Sequence, residues 1–134
     1  MLVLLDTHTL IWLIDGNERM GQDSRELIDT AFQDDIVAIS AISFWEIAML
    51  VERGRLALTM AVKDWRQRVL EAGVIEIPVS GEIGIAAVNL SNFHSDPADR
   101  IITATAIINS AQLITADTRI LSWKGDLERR DASV

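Results

Sequence analysis

The 134-residue chain contains no cysteine. Disulfide staples, zinc–thiolate sites and thiol nucleophiles are therefore excluded, and the composition fits a reducing cytoplasm. An excess of positive charge is also missing: 12 Lys and Arg against 20 Asp and Glu leave a net charge of −8. A domain that holds nucleic acid by bulk charge alone is basic, so any such contact here needs a metal ion or a local basic patch. No long apolar run is present. The longest uncharged apolar-rich stretch, Ile36 to Trp45, is too short to cross a bilayer. Met1 leads at once into a strand-like run with no basic segment ahead of it, so no signal peptide is expected. Repeats, low-complexity tracts and interdomain linkers are absent as well. What remains is the expectation of one soluble, cytoplasmic domain over residues 1–134, long enough to bury a core.

What is present is a regular alternation. Leu2 to Leu5 reads as a buried strand ending in Asp6, followed by a helix over Thr7 to Ile14. A second helix covers Gln22 to Gln33, with Leu27, Ile28, Ala31 and Phe32 on one face. Ile36 to Ser40 is a second buried strand. Ser43-Phe44-Trp45-Glu46 opens a third helix to about Arg53, with Gly54 as its C′ residue. Thr59 is placed to cap a fourth helix carrying Val62, Trp65 and Val69. Val74 to Pro78 is a third strand, whose Glu76 and proline suit a sheet edge. A fifth helix follows Ser80. Asp96-Pro97 starts a sixth, with aspartate at N-cap and proline at N1. Gln112 to Thr115 is a fourth strand, then Ala116-Asp117 and a short helix, with Leu127 to Ala132 as a last edge strand. This alternation predicts an α/β fold: a three-layer α/β/α sandwich around a mainly parallel sheet of four to five strands.

In such sheets ligands bind beyond the carboxyl ends of the strands. Asp6 and Asp117 each follow a strand directly. Glu46 and Asp99 lie in predicted first turns of helices, and the Asp99 helix reaches the same edge only if the preceding loop returns it there. Carboxylates gathered this way repel: two charges about 4 Å apart cost roughly 4 kcal/mol at an effective dielectric near 20. Such a group takes up protons or binds a cation, and oxygen-only donors select a hard ion such as Mg²⁺ or Mn²⁺. Such an ion suits phosphodiester hydrolysis. Each acid also has a plainer explanation. Asp6 and Asp117 are placed to be N-caps, Ser43-x-x-Glu46 spells a capping box, and Asp99 favours a helix dipole.

Leu4-Leu5-Asp6-Thr7-His8, Ser43-Phe44-Trp45-Glu46-Ile47, Asp96-Pro97-Ala98-Asp99-Arg100-Ile101-Ile102-Thr103-Ala104-Thr105-Ala106 and Leu113-Ile114-Thr115-Ala116-Asp117 together resemble the PIN domain, and more narrowly the VapC-type toxins of bacterial toxin–antitoxin pairs. The four blocks match in order and spacing over nearly the whole chain. The resemblance implies a Mg²⁺- or Mn²⁺-dependent endoribonuclease whose acids fall on Asp6, Glu46, Asp99 and Asp117. It implies that Asp6 and Asp99 hold the principal ion. Thr115 matches a hydroxyl residue that often precedes the last acid. Asp96 is assigned to capping or support, and Thr7, His8 and Arg100 are further substrate or support candidates. An antitoxin partner and a homodimer are implied too. A water nucleophile suits a chain that lacks both cysteine and tyrosine.

Other residues carry weaker signals. His8 follows Asp6 closely, but a satisfied structural imidazole is the favoured reading, since a carboxylate site needs no histidine. His94 sits in a loop and receives no role. Arg53, Arg55, Lys63, Arg66 and Arg68 form the densest basic stretch, read as a solvated face with an RNA contact as the alternative. Arg100 is placed to meet phosphate or a carboxylate. The four tryptophans are core candidates, although Trp45, Met49 and Leu50 would form a partner groove if exposed. Two rivals stand beside the nuclease. A receiver-like module needs a lysine at a late strand end, and the lysines are Lys63 and Lys124. A PIN-like fold that binds RNA or protein without cutting would not need four intact acids.

Overall fold

A computed structural model describes residues 1–134. Its elements run β1 (Val3–Leu5), α1 (Thr7–Asp15), α2 (Gln22–Gln33), β2 (Val37–Ser40), α3 (Ala41–Glu52), α4 (Val62–Glu71), β3 (Ile75–Ile77), α5 (Gly81–Val88), α6 (Pro97–Ile108), β4 (Gln112–Thr115), α7 (Thr118–Leu121) and β5 (Arg129–Asp131). The strands form one sheet in the order β3-β2-β1-β4-β5, and every pairing is parallel. All five carboxyl ends therefore open on the same edge. β1 is central, and the chain departs from it first toward β3 and later toward β5, so the strand order reverses there. A receiver domain uses the order 2-1-3-4-5, which this sheet does not have.

Successive strand residues face opposite sides of the sheet. Val3, Leu5, Val37 and Ile39 pack with Leu10, Ile11, Ile28, Ile47, Trp65 and Val69, which come from α1 to α4. Leu4, Ala38 and Leu113 pack with Ile102, Ala106, Ile120 and Phe93 on the other side. A smaller cluster, Ile83, Ala87 and Ala104, joins α5 to α6. Those two faces are the outer layers of the sandwich, and they explain why β1, β2 and β4 read as unbroken apolar runs.

Local chemistry sets the boundaries. α1 ends at Gly16, which takes a left-handed φ of 63° and donates its N–H back to Leu13. Helix α3 begins earlier than its sequence suggests. Ser40, not Ser43, is its N-cap and accepts from the Ile42 N–H at 3.2 Å. Ser43 lies inside the helix and accepts instead from the Thr7 hydroxyl at 2.9 Å, so Ser43-x-x-Glu46 is no capping box. Thr59 does not cap α4 either: Ala61 holds that position, without a side-chain bond. Trp65 is buried edge-on to Phe44, whereas Trp45 is 49% exposed. No helix is long and apolar enough to cross a membrane.

The last residues are tied to α2. Gly21 donates to the Ala132 carbonyl at 2.9 Å, Ser24 N–H to Val134 at 3.0 Å and the Ser24 hydroxyl to Asp131 at 2.9 Å. A side chain at Gly21 would place its Cβ 2.0 Å from the Val134 backbone, so glycine is required by contact rather than by torsion.

Candidate active site

Asp6 anchors the carboxyl edge. It is buried at 7% exposure between the ends of β2 and β4. One carboxylate oxygen accepts from the Thr9 N–H at 2.8 Å and so caps α1. The other accepts a short hydrogen bond from the Thr115 hydroxyl. That hydroxyl also accepts from the Asp117 N–H at 3.0 Å, so Thr115 joins the two strand-end acids. The Thr9 hydroxyl and the Asp6 N–H both reach the Ile114 carbonyl, at 3.0 and 3.1 Å, which locks α1 to β4. The capping and clustering readings of Asp6 therefore hold together, and the same applies to Asp117, which caps α7.

Helix α6 does return to this edge. Asp96 caps it, accepting from the Ala98 and Asp99 N–H groups at 3.0 and 3.3 Å, and Asp99 lies in its first turn. A cleft of about 290 Å³ is lined by Asp6, Thr7, His8, Trp12, Glu46, Asp96, Asp99, Ala116, Asp117 and Arg119. All four candidate acids thus share one cavity. His8 lines it exposed, not as a satisfied internal imidazole.

Electrostatics separate three of these acids. Burial pushes the Asp99 carboxyl up to about 6, and the nearby Asp96 and Asp117 add to this against the opposing pull of His94. Burial likewise raises Glu46, assisted by Asp96 and Asp6 and opposed by the Thr7 hydroxyl and His8. Burial acts upward on Asp117 too, but the hydrogen bonds and charge of Arg119 outweigh it and hold that carboxyl below its ordinary value. Arg119 lays its guanidinium across the pair, with Nη2 3.0 Å from Asp117 and 3.4 Å from Asp99.

Two members of this arrangement escape a reading of the sequence. His94 pairs with Asp99 through Nε2 at 2.7 Å while its ring stacks on Phe93, and Arg119 follows Asp117 by two positions. Only the order Asp117-x-Arg119 offered a hint, because a loop fold brings His94 in. Arg100 corrects an expectation in the other direction. Its guanidinium donates to the carbonyls of Ala87, Phe93 and His94 at 2.6 to 3.0 Å and pairs with no acid. It closes the C-terminal end of α5, where carbonyls lack helical partners and a cation is favoured. The basic stretch stands apart from the cleft, and its Arg66 forms a two-pronged pair with Glu76 at 2.7 Å.

The donors suit a hard divalent cation. His94, Asp99 and Asp117 offer ligand atoms within 4.8 Å of one another, with Asp6 and Glu46 lining the same cavity. Burial is the main cause of the upward shifts of Asp99 and Glu46, and neighbouring acids add a repulsion that such an ion would relieve.

A parallel five-stranded sheet of this order, with acids converging at the carboxyl edge of β1 and β4, defines a class. The profile of the PIN domain matches residues 3–124, and the chain belongs to that family. Among individual relatives, it is 37% identical over 123 residues to Ribonuclease VapC22 of Mycobacterium tuberculosis (strain ATCC 25618 / H37Rv), covering 91% of this chain and 92% of that protein. The fold is also similar to VapBC2 from Rickettsia felis bound to a DNA fragment from its promoter, with a TM-score of 0.71 at 18% identity, over 98% of this chain and 100% of the other. A toxin–antitoxin complex from Klebsiella pneumoniae gives a TM-score of 0.63 at 23% identity, over 97% of each chain.

Proposed function

We propose that the chain is a divalent-metal-dependent endoribonuclease, hydrolysing RNA phosphodiester bonds as the toxin of a toxin–antitoxin pair and restrained by a bound antitoxin. The observation that carries this is the cleft in which Asp6, Glu46, Asp99 and Asp117 meet, with Asp99 driven up to about 6 by burial and like charge. The similarity to Ribonuclease VapC22 supports RNA as substrate, and the toxin–antitoxin fold relatives support an antitoxin partner.

Asp6, Asp99, Asp117 and Glu46 would hold Mg²⁺ or Mn²⁺. When bound, such an ion supplies Lewis acidity toward phosphate oxygens and lowers the pKa of water. The protein's own part is orientation. Thr115 fixes one oxygen of Asp6 and the backbone of Asp117. Asp96 holds the first turn of α6 and with it Asp99. The Thr7–Ser43 bond fixes α1 against α3, which presents Glu46. His8, exposed at the rim, faces arriving substrate.

The test is cleavage of a mixed structured and single-stranded RNA pool in Mg²⁺, Mn²⁺ or EDTA, using protein freed of any co-purified antitoxin. Metal-dependent cutting that disappears in Asp6→Asn and Asp99→Asn is the expected result. Cutting that survives both substitutions would overturn the site, and a folded, metal-binding protein that cuts nothing would favour the non-catalytic binding module.

A further inference from the structure

A second cleft adjoins the acidic one, and its chemistry is the opposite. It encloses about 540 Å³ and is bordered by Arg119, Lys124, His94, Asn92, Ser122 and Trp123, with no carboxylate in its lining. In a chain of net charge −8, a cavity of that size without an acid is unusual ground. Arg119 lines both clefts, so the two adjoin at its side chain. That side chain is 57% exposed, and its Nε and Nη2 are engaged with Asp117 and Asp99, leaving the Nη1 hydrogens free. Lys124 is exposed and forms no ion pair, and its near neighbour Asp126 lines a different cavity.

Three other arginines are committed elsewhere. Arg66 is bound to Glu76 and Arg100 to backbone carbonyls, and Arg129 donates to the Trp123 carbonyl. The floor of the cationic cleft is rigid. Trp123 donates its indole N–H to Ser91 at 2.9 Å and meets Phe93 edge-on at 5.3 Å, and Phe93 stacks on His94 at 4.5 Å. Gly125 lets the backbone lie directly on the indole, because a Cβ there would fall 2.1 Å from the ring. The cleft is thus held by the same loop that fixes His94 against Asp99.

We propose that this cleft is a subsite for the RNA strand flanking the scissile phosphate, with Lys124 and Arg119 holding successive backbone phosphates as the strand leaves the acidic cleft. This rests on the ribonuclease reading above and assigns it a direction across the surface. The geometry answers a difficulty set by composition: a polyanion approaching an acidic protein needs cations placed next to the acids, and here they share a wall. Asn92 and Ser122 add uncharged hydrogen-bonding groups along the same border.

The experiment is fluorescence anisotropy with a labelled 12-nucleotide single-stranded RNA, using full-length Asp99→Asn protein in Mg²⁺ over a salt series. In that background, Lys124→Ala should weaken binding about 5-fold near 0.1 M salt and lower the log–log salt slope by about 0.7, the value for one phosphate on a single strand. Lys124→Glu should weaken it further. Lys63→Ala, on α4, should change neither quantity. Unchanged affinity and slope in Lys124→Glu would overturn the subsite, as would an equal loss in Lys63→Ala or no measurable binding by the Asp99→Asn parent at low salt. Failure here is separable from failure of the nuclease reading. A wild-type enzyme that cuts RNA, with Lys124→Glu cutting and binding equally well, removes the subsite and keeps the nuclease. Binding that depends on Lys124 in a protein that never cuts RNA keeps the subsite and removes the nuclease.

Discussion

Glu76 and Asp99 are both partly buried acids near the sheet, yet their surroundings drive them in opposite directions. At the β3 edge, hydrogen bonds from Arg66 hold Glu76 below its ordinary value, against a small opposing effect of burial. At the carboxyl edge, burial and two neighbouring acids raise Asp99 to about 6. One carboxylate has its own cation. The other has the His94 imidazole at 2.7 Å, shares the longer reach of Arg119 with Asp117, and lies among further acids. A paired acid is finished as a structural element, whereas a crowded one retains a demand for positive charge. That difference distinguishes a candidate metal ligand from a surface ion pair where residue type alone does not.

The comparison is broken most decisively by activity. Asp99→Asn should lower RNA cleavage by more than about 100-fold, because even outer partners of metal ligands are worth about 10–100-fold. Glu76→Gln should leave the cleavage rate within about 2-fold, the margin of a site with no part in positioning. Equal losses in single-turnover assays would erase the distinction.

Thr115→Val comes next. Removing the hydroxyl that orients Asp6 and accepts from Asp117 should cost about 10–100-fold in cleavage, the range for residues that orient ligands. Rescue by Thr115→Ser would show that the hydroxyl, not the methyl, carries the effect.

Stability against pH sharpens the contrast with a smaller signal. Between the ordinary carboxylate value and about 6, the folded protein binds a proton at Asp99 that the unfolded chain does not. Stability in EDTA should therefore fall as pH rises through that window, by on the order of 1–3 kcal/mol, and Asp99→Asn should flatten the dependence. Added Mn²⁺ should restore the loss at pH 7. The Glu76 pair works with the reverse sign: its contribution is present above the ordinary carboxylate value and disappears as pH falls through the depressed one. Thermal melts from about pH 2 to 7, with and without EDTA, read both.

The smallest effect belongs to Arg66→Ala. That side chain is 42% exposed, so its pair with Glu76 should contribute little and its loss should barely shift the urea unfolding midpoint, despite two 2.7 Å contacts.

Much of this arrangement was legible before any coordinates. Short branched runs ending in Asp6 and Thr115 identified the buried strands, and Asp96-Pro97 marked the start of α6 because cap and N1 chemistry act locally. The weakly expected last strand exists, paired in parallel with β4. What the residues did not reveal depends on distant contacts. Ser40 and Ser43 are equally good caps in isolation, and the choice between them follows from Thr7, 36 positions away from Ser43, taking the second hydroxyl. His94 meets Asp99 because Asn92 turns the chain at a positive φ of 56°, which spacing does not foretell. Arg100, adjacent to a candidate acid in sequence, points to the end of α5 instead, since the helix directs consecutive residues to different faces.

The bond from Thr115 to Asp6 spans 109 positions of sequence. Asp6 leaves a ribosome 109 residues ahead of its partner. Contacts of such separation form late in folding, after a long loop has closed. A growing chain halted anywhere before β4 would display Asp6 and Glu46 on an unfinished sheet, with neither Thr115 nor Asp117 beside them. The acid cluster thus cannot be complete until β4 and Asp117 have been made. For a site assembled from both early and late parts of one sheet, the order of synthesis acts as a delay built into the topology.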